Sequence, residues 1–300
     1  MSLLLRSSCL LIVFSMTIAD ARLCAQRGSS DLETLREAEH LDPQWENVRA
    51  HLPDPTVATP AQLELAGDVL RARRFPEDAL DYYNYALRRG GDEAGLLNKI
   101  GVTHLELRHT EVARVYFQRV VHLKQKSAEG WNNLGAVEYL DRRFGDAVSD
   151  YKRAIKADGK TAAFHSNLGT AYFEQKDYKG ARRQFDIALR LDPKISQHDG
   201  AAGVTAHLLS PEDHARYCFE MARLYAERGD DANMIHYLTM ASEGGFDVLG
   251  EMRSDKVMAA YRQDPRVLLL VQNARALRNG RDSLAEAKGD LPPLAASASR

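Results

Sequence analysis

Glycine stands at positions 67, 101, 135 and 169, each 34 residues after the last, and the recurrence extends to other residues. Twelve residues beyond these glycines come Ala79, Ala113, Ala147 and Ala181; four further on stand Tyr83, Phe117, Tyr151 and Phe185. Ala86, Val120, Ala154 and Ala188 then follow in the same phase. A period of this length constrains the fold strongly, because it marks one supersecondary unit stacked on copies of itself. Small residues let two helices approach closely, and the aromatic fills the space beside them. Gly135 belongs to one helix, while Ala147, Tyr151 and Ala154 share a face of the next at i, i+4 and i+7. Polar runs such as Asp141-Arg142-Arg143 and Gln175-Lys176-Asp177 form the turns. Pro76 opens a second helix, where its missing N–H costs nothing.

The segment Trp131-Asn132-Asn133-Leu134-Gly135, with Ala147, Tyr151 and Ala154 behind it, resembles a tetratricopeptide repeat. The next unit, with Leu168-Gly169, Tyr172, Ala181, Phe185, Ala188 and Pro193, is closer still. The resemblance sets four repeats at 60–93, 94–127, 128–161 and 162–195. It implies an all-α fold, a right-handed superhelical solenoid of stacked helix-turn-helix units. Ala66 and Ile100 depart from the usual leucine before the glycine, and His104 and Glu138 from the tyrosine that Tyr172 supplies.

The ends of the array carry their own signals. Thr59-Pro60-Ala61-Gln62 reads as a cap, a first-turn proline and a capping-box partner, so the first repeat starts there. Upstream, 26–59 is a helical extension: Ser30-Asp31-Leu32-Glu33 opens a short charged helix to about 40, and Asp42-Pro43 opens another carrying Trp45 and Val48. Residues 196–214 interrupt the period as a connector, and Ser210-Pro211 restarts helix. A degenerate fifth repeat fits 215–248, with Met221, Ala222, Tyr225, Met234, Leu238 and Ala241 in the core positions. Over 249–279, Ser254 and Asp264-Pro265 are expected to cap two closing helices, the second ending near Asn279. The run from Gly245-Phe246 to Asp264-Pro265-Arg266 resembles the closing segment of many bacterial repeat proteins. Residues 280–300 are expected to form a disordered tail, and 26–279 one elongated array.

Residues 1–25 read as a secretory signal peptide. Arg6 precedes a charge-free run over 7–19, too short for the roughly 20 apolar residues that cross a bilayer. Cleavage is expected after Ala25, with Ala21 as the alternative, and the product is expected in the periplasm or outside the cell. An uncleaved signal would instead anchor the chain to the membrane. Leu23 before Cys24 fits lipidation poorly, and cleavage leaves Cys218 as the sole thiol, so stability must come from packing.

Forty basic residues against 42 acidic ones leave no basic excess with which to neutralise phosphates, so no nucleic-acid partner is expected. Gly159-Lys160-Thr161 ends like a phosphate-binding loop, but Ala154 stands where the motif needs its first glycine. Cys218 with His214 one turn earlier forms a thiol–imidazole pair on a helix position that packs inward. His198, His207 and His214 are irregularly spaced for metal. Arg71, Arg73 and Arg74 read as a solvated hairpin turn. No catalytic residue, metal or cofactor is expected.

The resemblance implies ligand contact along the first helix of each pair. The matching residues are Glu64, Asp68 and Arg71, then Asn98, Val102, Leu105 and Glu106. The third unit adds Glu129, Asn132, Ala136, Tyr139 and Leu140, and the fourth Ser166, Thr170, Phe173 and Glu174. The family's best-known groove clamps a peptide's carboxylates with cations and asparagine. Glu64, Asp68, Lys99, Glu129 and Asn133 stand at the corresponding places, so that clamp is not expected. Five acids against one base favour a neutral or basic partner. Asn98 and Asn132 are expected to bond an extended peptide, with Tyr139, Leu140 and Phe173 as apolar anchors; the alternative is a merely packed and solvated inner face. The expected function is a non-catalytic interaction module, exported to the cell envelope, that binds a peptide or protein segment. The competing readings are a hydrolase or metal-dependent enzyme sited over 196–218, and a membrane-anchored envelope assembly factor.

Overall fold

The structure, a computed structural model, describes residues 36–195 and 211–289. The expected signal segment, His198, His207 and the tail beyond 289 lie outside the described residues. Between Leu107 and Arg108 the chain divides into two compact units. The division falls in the turn between the two helices of the second repeat, whereas the periodicity predicts one uninterrupted array. Repeats bury their side chains only against near neighbours, so compactness is local.

In the first unit, residues 36–39 are helical, followed by α1 (Pro43–Arg49), α2 (Pro60–Ala72), α3 (Pro76–Arg88) and α4 (Glu93–Glu106). Asp42 caps α1 by accepting from Gln44 N at 2.7 Å, and Pro43 takes the first helical position. Trp45 stacks on His40 at 3.7 Å and meets Phe75 edge-on at 5.1 Å. Both halves of the expected capping box form: Gln62 N donates to Thr59 Oγ1 at 3.3 Å, and Thr59 N donates to Gln62 Oε1 at 2.9 Å.

The second unit runs α5 (Thr110–Leu123), α6 (Ala128–Leu140), α7 (Phe144–Ala157), α8 (Ala162–Glu174) and α9 (Tyr178–Leu191). It continues with α10 (Pro211–Glu227), α11 (Asp231–Glu243), α12 (Val248–Glu251), a 3-10 turn (Met258–Tyr261) and α13 (Pro265–Gly289). Consecutive helices pack as antiparallel pairs, α6 with α7, α8 with α9 and α10 with α11, and α13 covers α11. Among the described residues there is no strand.

The close approach predicted from the small residues is visible atom by atom. A Cβ built on Gly67 would lie 2.5 Å from Tyr83 Cε1; on Gly135, 2.9 Å from Tyr151 Cδ1; on Gly169, 2.6 Å from Phe185 Cε1. Only glycine admits the ring at that distance, and burying each ring contributes about 1.5–3 kcal/mol.

A second periodic feature is conformational. Arg74, Arg108, Arg142 and Lys176 adopt positive φ of 66°, 60°, 62° and 62°, and Gly229 follows at 72°. Each ends the first helix of its pair. The next N–H closes the turn on the carbonyl five residues back, Phe75 to Leu70, Arg143 to Glu138, Asp177 to Tyr172 and Asp230 to Tyr225, all at 2.9 Å. This is the Schellman closure of a helix end. Gly229 puts the hairpin of the degenerate unit in phase with the others, and its six expected core residues are all buried.

The closing segment differs from expectation in two details. Ser254 does not cap; its hydroxyl donates to Glu251 O at 3.1 Å, and Asp255 instead accepts from Val257 N and Met258 N at 2.9 and 3.0 Å. A carboxylate one residue later can hold two orphan donors, and it opens a 3-10 turn rather than an α-helix. Asp264 caps α13 as expected, accepting from Arg266 N at 2.8 Å. That helix passes Asn279 and continues to Gly289, since 281–288 hold good helix formers and the next proline is Pro292. A buried ion cluster docks this end: Glu220 takes Arg182 and Arg216, and Arg216 also reaches Glu251 at 3.2 Å.

Candidate functional site

On the first unit the expected contact residues lie on α2 and α4, half-buried except for the exposed Glu106. They form an ion network. Lys99 Nζ lies 2.8 Å from Glu64 Oε1 and 2.6 Å from Asp68 Oδ2. Tyr83 Oη donates to the other Asp68 oxygen at 2.8 Å, and Arg71 donates to Glu106 at 2.9 Å. Burial alone would lower the Lys99 ammonium, but the bonds to Asp68 and Glu64 outweigh it and hold it above the ordinary lysine value. Burial, then the Asp68 carboxylate, pushes the Tyr83 hydroxyl up. On this unit the three acids thus meet two cations, so the excess of acid counted along the sequence falls here from two charges to one. Lys99 stands one residue after Asn98 and escapes a count confined to the expected contact positions. The electrostatic preference for a neutral or basic partner is correspondingly smaller on this face. Asn98, Val102 and Leu105 follow the network along α4 at i, i+4 and i+7.

The second unit treats its expected contacts differently. Asn132 is fully buried: its Oδ1 accepts from Asn167 at 2.8 Å and its Nδ2 donates to Asn133 at 3.2 Å. With its amide so engaged, Asn132 does not present the backbone-binding group expected of it. Tyr139 is buried, donates to Glu174 at 3.0 Å and packs on Phe144 at 5.5 Å. Burial, followed by the Glu174 charge, raises its hydroxyl far above the ordinary tyrosine value. Phe173 is buried between Tyr178 at 5.2 Å and Tyr217 at 5.8 Å. Ala136 and Thr170 are buried as well, with the Thr170 hydroxyl returned to Ser166 O at 3.1 Å. Tyr139 and Phe173 thus act as packing residues rather than open anchors. Leu140 and Glu129 are exposed and Ser166 and Glu174 half-buried, so these four remain on the surface.

The chemical candidates resolve in the same way. Cys218 Sγ lies 3.6 Å from His214 Nε2, but it is fully buried, and burial pushes its thiol up to about 11. An activated nucleophile needs the opposite shift. Lys160 N is taken by Asp158 at 2.9 Å, and Thr161 donates to the same carboxylate, so this turn is braced by aspartate. Arg74 is one of the left-handed turn residues. Among the described residues no group of three or more histidines, cysteines or carboxylates is arranged for a metal ion, and no helix is long and apolar enough to cross a membrane.

The family model described as tetratricopeptide repeat matches residues 64–128, 98–159 and 141–194. Anaphase-promoting complex subunit 3 of Schizosaccharomyces pombe is 27% identical over 138 residues, covering 46% of this chain and 20% of that protein. Small glutamine-rich tetratricopeptide repeat-containing protein 2 of Saccharomyces cerevisiae is 21% identical over 164 residues, covering 54% of this chain and 45% of that protein. The chain spans less than half the length of these curated relatives. Among solved structures, pilF of Pseudomonas aeruginosa is 16% identical with a TM-score of 0.49, covering 77% of this chain and 97% of that chain.

Proposed function

The chain belongs to the tetratricopeptide repeat family through residues 64–194, and from that premise we propose a non-catalytic interaction module, exported to the cell envelope, that holds an extended segment of a partner protein against α2 and α4. Repeats of this family generally mediate protein–protein contacts. One observation carries the finer reading: α2 and α4 are tied by Lys99 to Glu64 and Asp68, beside the half-buried Asn98, Val102 and Leu105. Side chains already ordered by ion pairs have less freedom to lose when a ligand arrives. The 1–25 segment supports export.

Site-specific photocrosslinking in the native cell tests the surface. A photoreactive residue at Val102 or Leu105 is expected to give a discrete adduct, and one at the exposed Val115 of α5 is not. Adducts from Val115 alone would place the contact elsewhere. Export is tested separately by the N-terminus of the purified protein, expected at Gln26, and by envelope fractionation.

A further inference from the structure

A cavity of about 880 Å³ opens where the ends of α5 and α7 meet the start of α6. Gln118, Val121 and His122 come from α5, Gln125 and Lys126 from the turn after it, Trp131 and Leu134 from α6, and Arg153, Lys156 and Ala157 from α7. None of the expected groove residues lines it.

Its charge is one-sided. Lys126, Arg153 and Lys156 are permanent cations, His122 adds an imidazole, and no carboxylate lines the walls. Several cations elsewhere are answered by carboxylates: Lys99 by two, Arg182 by Glu220, Arg266 by Asp231 and Asp264. Among the described residues, Lys126 and Lys156 enter no ion pair, and Arg153 has Asp150 alone, at 3.2 Å. This is a local excess in a chain whose net charge is -2. The carbonyl ends of α5 and α7 each add about half a negative unit, which together offset about one of the three permanent cations and leave about two in surplus.

The apolar part is ordered in advance. Trp131 Nε1 donates to Gln125 O at 2.8 Å, which fixes the indole, and the Arg153 guanidinium lies 4.5 Å from its ring centroid. Val121 and Leu134 lie beside it, largely buried. A rigid aromatic ringed by cations suits a carboxylate-bearing ligand that also carries an apolar side chain.

We propose that this cavity docks an acidic peptide segment of a partner protein, with carboxylates on Lys126, Lys156 and Arg153 and an apolar side chain on Trp131. A nucleic-acid strand fits less well. The cations ring a bounded cavity rather than follow a track, and the surface beyond Arg153 is mixed, with Glu138, Asp146 and Asp150 set among Arg114 and Arg143, so no cationic run continues for a phosphate backbone to follow. The site is independent of the α2–α4 face.

The test uses the chain from Gln26 onward and a short fluorescein-labelled peptide of aspartate and glutamate with one central leucine, followed by fluorescence anisotropy at low and physiological salt. The peptide is expected to bind, to quench Trp131 emission in a Trp45→Phe background, and to weaken as salt rises. Lys126→Gln with Lys156→Gln is expected to weaken binding about tenfold or more. Lys160→Gln with Lys179→Gln, outside the cavity, and Val102→Ala are expected to leave it unchanged. Circular dichroism confirms that each variant is folded, and Lys156→Glu provides a second route to the same loss. The proposal fails if the acidic peptide does not bind, if a glutamine–asparagine version binds equally well, or if the control pair weakens binding as much as the cavity pair. It fails also if a single-stranded oligonucleotide binds more tightly than the peptide.

Discussion

Replacing Gly169 with alanine strains the contact on which each hairpin rests. The new methyl would lie 2.6 Å from Phe185 Cε1, 2.8 Å from Cδ1 and 3.1 Å from Cζ, where carbons ordinarily rest about 3.5–4.0 Å apart. Phe185 is 4% exposed and meets Tyr217 edge-on at 5.5 Å, so its ring has no room to step aside. Overpacking of this kind costs about 1–3 kcal/mol, and three short contacts on a confined ring place it at the upper end. Alanine returns about 1 kcal/mol as the better helix former. The expected net loss is about 2 kcal/mol. Gly145→Ala is the comparison, since the nearest atom there is Gln175 Nε2 at 3.9 Å, and it is expected to hold or gain stability. Phe185→Leu in the Gly169→Ala chain removes the clashing ring, so the two substitutions together should cost at least about 1 kcal/mol less than their sum. Urea unfolding followed by circular dichroism reads these differences as midpoint shifts at equal slope. A Gly169→Ala chain that unfolds at or above the wild-type midpoint, or an additive double variant, refutes the reasoning.

Lys176 holds φ of 62°, which strains any side chain; Lys176→Gly is expected to raise thermal stability by about 0.5–1 kcal/mol, and Gly229→Ala to lower it by a similar amount. The Glu39 carboxyl is pushed from 4.5 up to about 7 by burial and then by Glu77, with Asp78 adding to the effect and His40 opposing it. The folded form therefore keeps a proton that the unfolded chain releases, so the stability of the first unit should fall as pH rises from about 4.5 to 7 and level off above. Glu39→Gln should flatten that decline, read from Trp45 emission in a Trp131→Phe background during urea unfolding. With its thiol pushed up to about 11 and no exposure, Cys218 should resist alkylation at pH 8 until urea unfolds the chain. Rapid labelling of the native protein would show the thiol to be open.

The 34-residue period, the hairpins, the Thr59 and Asp264 caps, Pro60 and Pro76 at helix starts, and the glycine–aromatic contacts are all legible in the chain alone. Each is local or repeats at a fixed spacing, so periodicity exposes it. The left-handed turn residues also recur every 34 residues, yet arginine and lysine conceal a position that glycine would have advertised. Only the tertiary structure decides which polar side chains are consumed. Lys99 lies 31 residues from Asp68, Asn167 lies 35 from Asn132, and Tyr139 lies 35 from Glu174, all on neighbouring helices. A helix face shows which residues point the same way, but not whose rotamers meet across the gap. The same limit hides the basic cavity: Lys126, Trp131 and Lys156 come from a turn and two helices, and read singly they are an ordinary surface lysine, a repeat tryptophan and a helix-end lysine. Packing α5, α6 and α7 side by side turns them into one charged pocket, because burial and charge pairing are properties of neighbours in space.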